Sequence, residues 1–406
     1  MRPIRQNIRS ITFHLYYANF SASTWSGTIS SSTYANGTSR VFASKANAAL
    51  LKALPKLPRL STLVISVNHI PSHSWSVVIG LPTLTHLELY SADEATPAPL
   101  PAPLPKSYIK SFTLRYVDYA SIVNALLAHL APNLEALQLT DRSSPENMFS
   151  FSFPPFPKLN KFIIMGIREP RMPEGALLRL LVRTPAIMHL EMNQSFNERP
   201  LPETALPNLE SITLYGASTP FSPTFAFPRR VNRLTIKMAG EEHTEQSTRE
   251  LLLAISEDIS ASSLSISGGW AVRCAIFYEV QWNFRNVRTV HLELPVHFSP
   301  DAPDVSLPVG LPRTLERITV ELRHRDTHFS LPNRPALRDW PEALITAAGN
   351  GGLMGVRLEI WRIWDGAGGS KHDGPAWWKK IWRVEGAEGS WRMDTSSEQG
   401  FYPNEM

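Results

Sequence analysis

Cysteine is nearly missing from this chain. Cys274 is the only one among 406 residues, which excludes an internal disulfide and any cysteine-rich zinc site. Its neighbours Val272, Ile276 and Phe277 mark it as a core thiol, because activation needs a base or cation beside the sulfur. Long apolar runs are missing too. No stretch approaches the ~18–20 residues that a membrane span requires, and the first residues lack the basic-then-apolar layout of a signal peptide. The expectation is a soluble protein, cytoplasmic or nuclear, with no membrane partner. Acids are missing from residues 1–87, which hold eight Lys or Arg and nothing acidic before Glu88.

Catalytic signatures are equally scarce. The phosphate-cradling patterns G-x-x-x-x-G-K-S/T and G-x-G-x-x-G do not occur, nor do G-x-S-x-G and H-E-x-x-H, so the usual glycine-rich loop, nucleophile elbow and zinc helix are not signalled. His69 and His73 are four apart, but Pro71 between them predicts a loop rather than a metal-binding helix. His324-Arg325-Asp326 spells a kinase triplet without the accompanying D-F-G;. Asp301 and Asp304 flank Pro303 with too few oxygen ligands for calcium. No catalytic, cofactor-binding or metal-binding residue is assigned, no cofactor is expected, and the chain is read as not an enzyme.

A repeat is present instead. Pro58-Arg59-Leu60-Ser61-Thr62-Leu63-Val64-Ile65 has the form P-x-L-x-x-L-x-L, and it recurs from Pro82, Pro132, Pro157, Pro185 and Pro207. Weaker copies keep three apolar residues at the same spacing: Ile109/Phe112/Leu114, Val231/Leu234/Ile236, Ala261/Leu264/Ile266, Val287/Val290/Leu292, Leu315/Ile318/Val320 and Leu353/Val356/Leu358, with Ile8/Ile11/Phe13 ahead of them. The last two apolar residues of each copy are two apart, as on one face of a strand. The proline suits the lead-in to that strand, where its missing N–H does least harm. Amphipathic runs over 45–54, 119–131, 174–184 and 246–259 read as helices. A strand that returns through a helix to the next strand favours parallel pairing, and stacked units cover one another's apolar sides.

On this motif the sequence resembles the leucine-rich-repeat proteins, and in texture the irregular repeat regions of fungal F-box/LRR proteins, over roughly residues 55–325. The resemblance implies an α/β solenoid with a parallel sheet on one face and helices or irregular connections on the other. Where that family carries Asn or Cys after the strand, only Asn68 conforms here; Ala92, Val117, Arg142, Ile167, Ser195, Ala217 and Ala239 stand elsewhere. The expected organisation is an N-terminal repeat strand with a Ser/Thr-rich insertion and helix (1–54), the solenoid (55–360), and a Trp-rich C-terminal cap or tail (361–406). Prolines at 97, 99, 101, 103 and 105 predict an extended connector.

Residues between the inward positions form outward columns, the natural ligand face of such a stack. From these columns Glu88, Tyr90, Arg115, Gln138, Glu191, Tyr215, Lys237, His291, Glu293 and Glu321 are the candidate protein-binding residues. Tyr90 is expected beside Arg115 and Tyr215 beside Lys237, pairs of the kind enriched at binding hot spots. The functional expectation is a non-catalytic protein-recognition scaffold with a protein ligand on the strand face. By resemblance, its specific form is substrate recognition in ubiquitin ligation. An F-box adaptor is a partner only if an F-box precedes this chain, since none can be read within it. The runner-up is nucleic-acid or anionic-surface binding through the acid-free basic residues 1–87, so nucleic acid ranks behind a protein partner.

Overall fold

The structure, a computed structural model, describes residues 8–14, 28–30, 49–67, 70–90, 98–115, 120–140, 153–165, 176–193, 200–215, 225–238, 245–268, 284, 286–295, 314–324, 355–364, 376–385 and 392–401. Cys274, His69, Asp301, Asp304 and most of the Ser/Thr-rich insertion lie outside them, and the side chains of the Trp-rich strands are likewise not described. Two compact units result, one of residues 1–191 with 204–209, the other of residues 192–203 with 210–405.

The first unit carries β1 (Ser10–His14), β2 (Thr28–Ser30), β3 (Thr62–Ser66), β4 (His86–Tyr90), β5 (Ser111–Arg115), β6 (Ala136–Thr140) and β7 (Lys161–Met165), and β8 (His189–Asn193) begins in it. The order is β2-β1-β3-β4-β5-β6-β7-β8. The pairs from β2 to β7 are parallel. Register follows the repeat: Leu63, Leu87, Phe112, Leu137 and Phe162 align in one row, and Ile65, Leu89, Leu114, Leu139 and Ile164 in another. All ten are buried. Helices α1 (Ser72–Ile79), α2 (Ala120–Leu130) and α3 (Ala176–Arg183) form connections, as a parallel sheet requires.

The second unit holds β9 (Ser211–Tyr215), β10 (Arg229–Lys237), β11 (Ile259–Ser267), β12 (Thr289–Pro295), β13 (Arg317–His324) and β14 (Gly355–Trp364), then β15 (Ala376–Glu385) and β16 (Arg392–Phe401). β9 to β14 pair in parallel; β14, β15 and β16 pair antiparallel. Ile212, Leu234, Leu264, Val290 and Ile318 make one aligned row, and Leu214, Ile236, Ile266, Leu292 and Val320 the next; all are buried. Helix α4 (Glu245–Asp258) lies against β11 and buries Leu251, Leu252 and Ile255.

Most repeats enter their sheet in one way. The carbonyl just after the first apolar position accepts two N–H groups from the next repeat: Ser61 O takes Thr85 N at 3.0 Å and His86 N at 2.9 Å, and Thr85 O takes Lys110 N and Ser111 N, both at 2.9 Å. Lys110, Glu135 and Asn160 repeat this in the first unit, Glu210 and Arg288 in the second. The proline sits earlier than a strand lead-in. It is the second residue of a turn closed by Leu60 N on Leu57 O, Leu84 N on Leu81 O, Leu159 N on Phe156 O and Leu209 N on Leu206 O, the position its fixed φ suits. The first residues of these turns, Leu57, Leu81, Phe156 and Leu206, are all buried. The repeat is thereby one apolar residue longer than P-x-L-x-x-L-x-L.

Two further differences are local. Pro71 is extended at φ −61°, ψ 150° and outside any helix, as expected, but α1 starts directly after it, takes in His73 and buries Trp75, Val78 and Ile79. The proline run between 98 and 105, expected as an extended connector, is neither helix nor strand, bends at Ala102–Pro103 and is anchored. Ser72 Oγ donates to Pro99 O at 2.7 Å, and His129 Nε2 lies 2.8 Å from Pro105 O. A Cβ on Gly80 would stand 2.8 Å from Ser76 O and 3.1 Å from Pro105 Cγ, so glycine lets the proline run close over the end of α1.

Candidate functional site

Alternation along each strand turns one set of side chains away from the core rows. In the first unit these are His86, Glu88 and Tyr90 on β4, and Ser111, Thr113 and Arg115 on β5. Parallel register sets Tyr90 beside Arg115 and Glu88 beside Thr113. The expected neighbours Tyr90 and Arg115 are therefore adjacent. The expectation that this column lies open fails here, since Val64, Ser66, Glu88, Tyr90 and Thr113 are all buried. Farther along, Gln138 and Glu191 are half-buried, and Lys161 Nζ reaches Glu191 Oε1 at 3.2 Å.

The buried column is ion-paired. Arg115 Nε stands 2.9 Å from Glu88 Oε1, and its Nη2 donates to Oε2 at 3.4 Å, a two-pronged approach that suits the planar guanidinium. Burial pushes the Glu88 carboxyl above its ordinary value of 4.5, and Arg115 pulls partly the other way. Burial, then the Arg115 charge, hold His86 below its ordinary 6.5. His86 Nδ1 is 2.8 Å from Ser111 Oγ. His86 and Ser111 were missed by the sequence reading, which used only the two outward positions nearer the strand end; the same alternation extended one step back reaches them. With Glu88 committed to Arg115, the cluster is an ion-paired patch that orders two strands.

The second unit presents the more open face. One row runs Thr213, Thr235, Ser265, His291 and Thr319, and the next Tyr215, Lys237, Ser267, Glu293 and Glu321, each in register across β9 to β13. Lys237 is exposed and the others are half-buried. Tyr215 and Lys237 meet as expected: Lys237 Nζ is 4.9 Å from the ring centroid and donates to Tyr215 Oη at 3.4 Å. His291 Nε2 lies 3.0 Å from Glu321 Oε1. Glu293 and Glu321 occupy directly neighbouring positions. These polar groups can hydrogen-bond and pair with charges on a partner lying across the strands.

On the connection side of this unit a pocket of about 270 Å³ is lined by Leu253, Ser256, Glu257, Ile259, Phe284 and Asn286 among others; among the described residues Glu257 is its one ionisable group. Among the described residues no three His, Cys, Asp or Glu stand together as a metal-ligand set, and no helix is long and apolar enough to cross a membrane. No family model matches the chain, and no curated protein is significantly similar to it.

Proposed function

We propose that the protein is a non-catalytic recognition scaffold of the leucine-rich-repeat class, which binds a protein ligand on its strand face. The observation that carries the reading is the open, in-register face of β9 to β13. Small hydroxyl side chains there alternate with an aromatic, a lysine and carboxylates. Recognition surfaces use rigid aromatics and charged groups in this way, with the energy concentrated in a few of them. The narrower role, substrate recognition in ubiquitin ligation, rests on the family resemblance alone.

A photo-crosslinking amino acid placed at Thr235, on the strand face, tests the reading against the same probe at Glu250, on the exposed side of α4. The scaffold reading expects a protein adduct from Thr235 and none from Glu250. Adducts from Glu250 alone, or equal labelling from both positions, would overturn it.

A further inference from the structure

Toward the lead-in, a third outward row crosses the strand face of the second unit: Ser211, Arg233, Ser263, Thr289 and Arg317, in register from β9 to β13. Beside it lie Thr213, Thr235, Ser265, His291 and Thr319. No position in either row is acidic, and apart from the two arginines and His291, which is bonded to Glu321, every side chain is a hydroxyl. Gly355 and Arg357 continue the two rows in register on β14. Arg233 and Arg317 are exposed, and among the described residues neither has an acid for a partner.

The carboxylates of this face stand apart from the two arginines. Glu293, Glu321 and Glu359 occupy a row four residues farther along the strands, ~13 Å away, with Arg323 two residues beyond Glu321. Glu385 lies in register two strands past Arg317, ~10 Å away, and is itself in register with Arg392. Arg383 stands next to Arg357 in register, and Asp394 next to Arg383. At the lead-in, Glu316 is taken up by Arg288 at 3.6 Å, while Glu210, one residue ahead of the row, makes no ion pair with Arg233.

We propose that these two rows dock an extended acidic peptide segment, with two Asp or Glu residues about four positions apart seated on Arg233 and Arg317. The spacing follows from the sheet. Arg233 and Arg317 are three strands apart, ~14 Å at ~4.8 Å per strand, and an extended chain advances ~3.3 Å per residue. Each guanidinium fork fits a carboxylate. Ser263 and Thr289, between the arginines, are small enough to let a peptide backbone approach and can donate to it or accept from it. Single-stranded nucleic acid is the poorer occupant, because these rows hold no aromatic ring on which a base could stack. The proposal rests on the scaffold reading and adds the partner's chemistry.

Panning short random peptides against the full chain at about 0.15 M salt, where the screening length is ~8 Å, tests it. The enriched peptides should carry two acids at the stated spacing. A selected peptide should bind Arg233→Glu and Arg317→Glu chains roughly tenfold more weakly each, as when a paired charge is reversed. Arg183→Glu, an equal change of net charge at an exposed position on α3, should leave its affinity unchanged. Thermal melting checks that the variants remain folded, and Arg233→Gln, which removes the charge without reversing it, replaces any reversal that unfolds. Enrichment of peptides without the paired acids, or equal weakening by Arg183→Glu, overturns the proposal. Tighter binding of single-stranded DNA than of any selected peptide, or failure to enrich a peptide at all, overturns it as well. Crosslinking at Thr235 decides the scaffold reading separately.

Discussion

Glu88 and His86 sit two residues apart on β4 and titrate in opposite directions. The folded chain holds the Glu88 proton more tightly than the unfolded one, so this group lowers stability as pH rises from 4.5 through its raised folded value;. His86 works the other way. The unfolded chain takes up its proton first as pH falls below 6.5, so stability drops from there down to the lowered folded value;. In urea melts at stepped pH, His86→Gln should flatten the loss just below pH 6.5, and Glu88→Gln the slope just above 4.5. A variant whose profile matches the parent would contradict the corresponding assignment. Arg115→Ala should raise the Glu88 pKa further, with a stability loss at neutral pH of about 1 kcal/mol, because the arginine is half exposed;. The Tyr90–Arg115 and Tyr215–Lys237 adjacencies were legible because parallel register follows from the repeat. The burial of Tyr90 and Glu88 was not, since alternation tells which way a side chain points and not whether that side is covered.

Among the elements, the strands were legible and the turns were not. Most strands begin two residues after the first apolar position, as at Leu60 and Thr62 or Leu315 and Arg317; β10 and β11 begin earlier. Helices α2, α3 and α4 fall within a residue or two of the apolar runs that announced them. The short α1 was hidden by its β-branched, serine-rich composition, which carries little helix preference. Also hidden was a lateral set of side-chain bonds at the strand lead-in: Thr83 Oγ1 to Leu60 O at 2.8 Å, Asn133 Nδ2 to Ser107 O at 3.1 Å, Asn208 Nδ2 to Pro185 O at 3.0 Å and Thr314 Oγ1 to Val287 O at 2.9 Å. Seen in sequence these are merely polar residues after a proline or arginine. They tie neighbouring repeats at the opposite end of the strand from the missing asparagines. Thr83→Val should cost about 0.5–1.5 kcal/mol, the worth of one such bond. Ala186 holds the matching position after Pro185, and Ala186→Asn should add a comparable bond and raise the melting temperature. Gly80→Ala should lower stability by about 1–3 kcal/mol through overpacking, because both the Ser76 carbonyl and Pro105 would have to shift.

On the scale of the whole molecule, stability in a stack of this kind is a sum of local terms and nearest-neighbour interfaces. Leu137, buried on β6, should cost about 2–5 kcal/mol as Leu137→Ala. Hydrogen exchange should then accelerate most in β5, β6 and β7, which pair directly, and least in β1. Uniform acceleration across the first unit would instead mean that it opens as one body. Parallel pairing was legible from the helical connections between strands, and the repeat copy at Leu353 carries it through β14; the antiparallel pairing of β15 and β16 was not, because no repeat sets their register.

A carbonyl that takes two N–H groups fixes the lead-in that follows Ser61, Thr85, Lys110, Glu135, Asn160, Glu210 and Arg288. Across those seven, the first apolar positions lie anywhere from 22 to 28 residues apart, while the lead-in keeps its geometry. Insertions and deletions can therefore accumulate on the far edge without shifting a single row. A whole unit can likewise be duplicated or removed without altering how its neighbours join, because each joins the next through the same backbone contact.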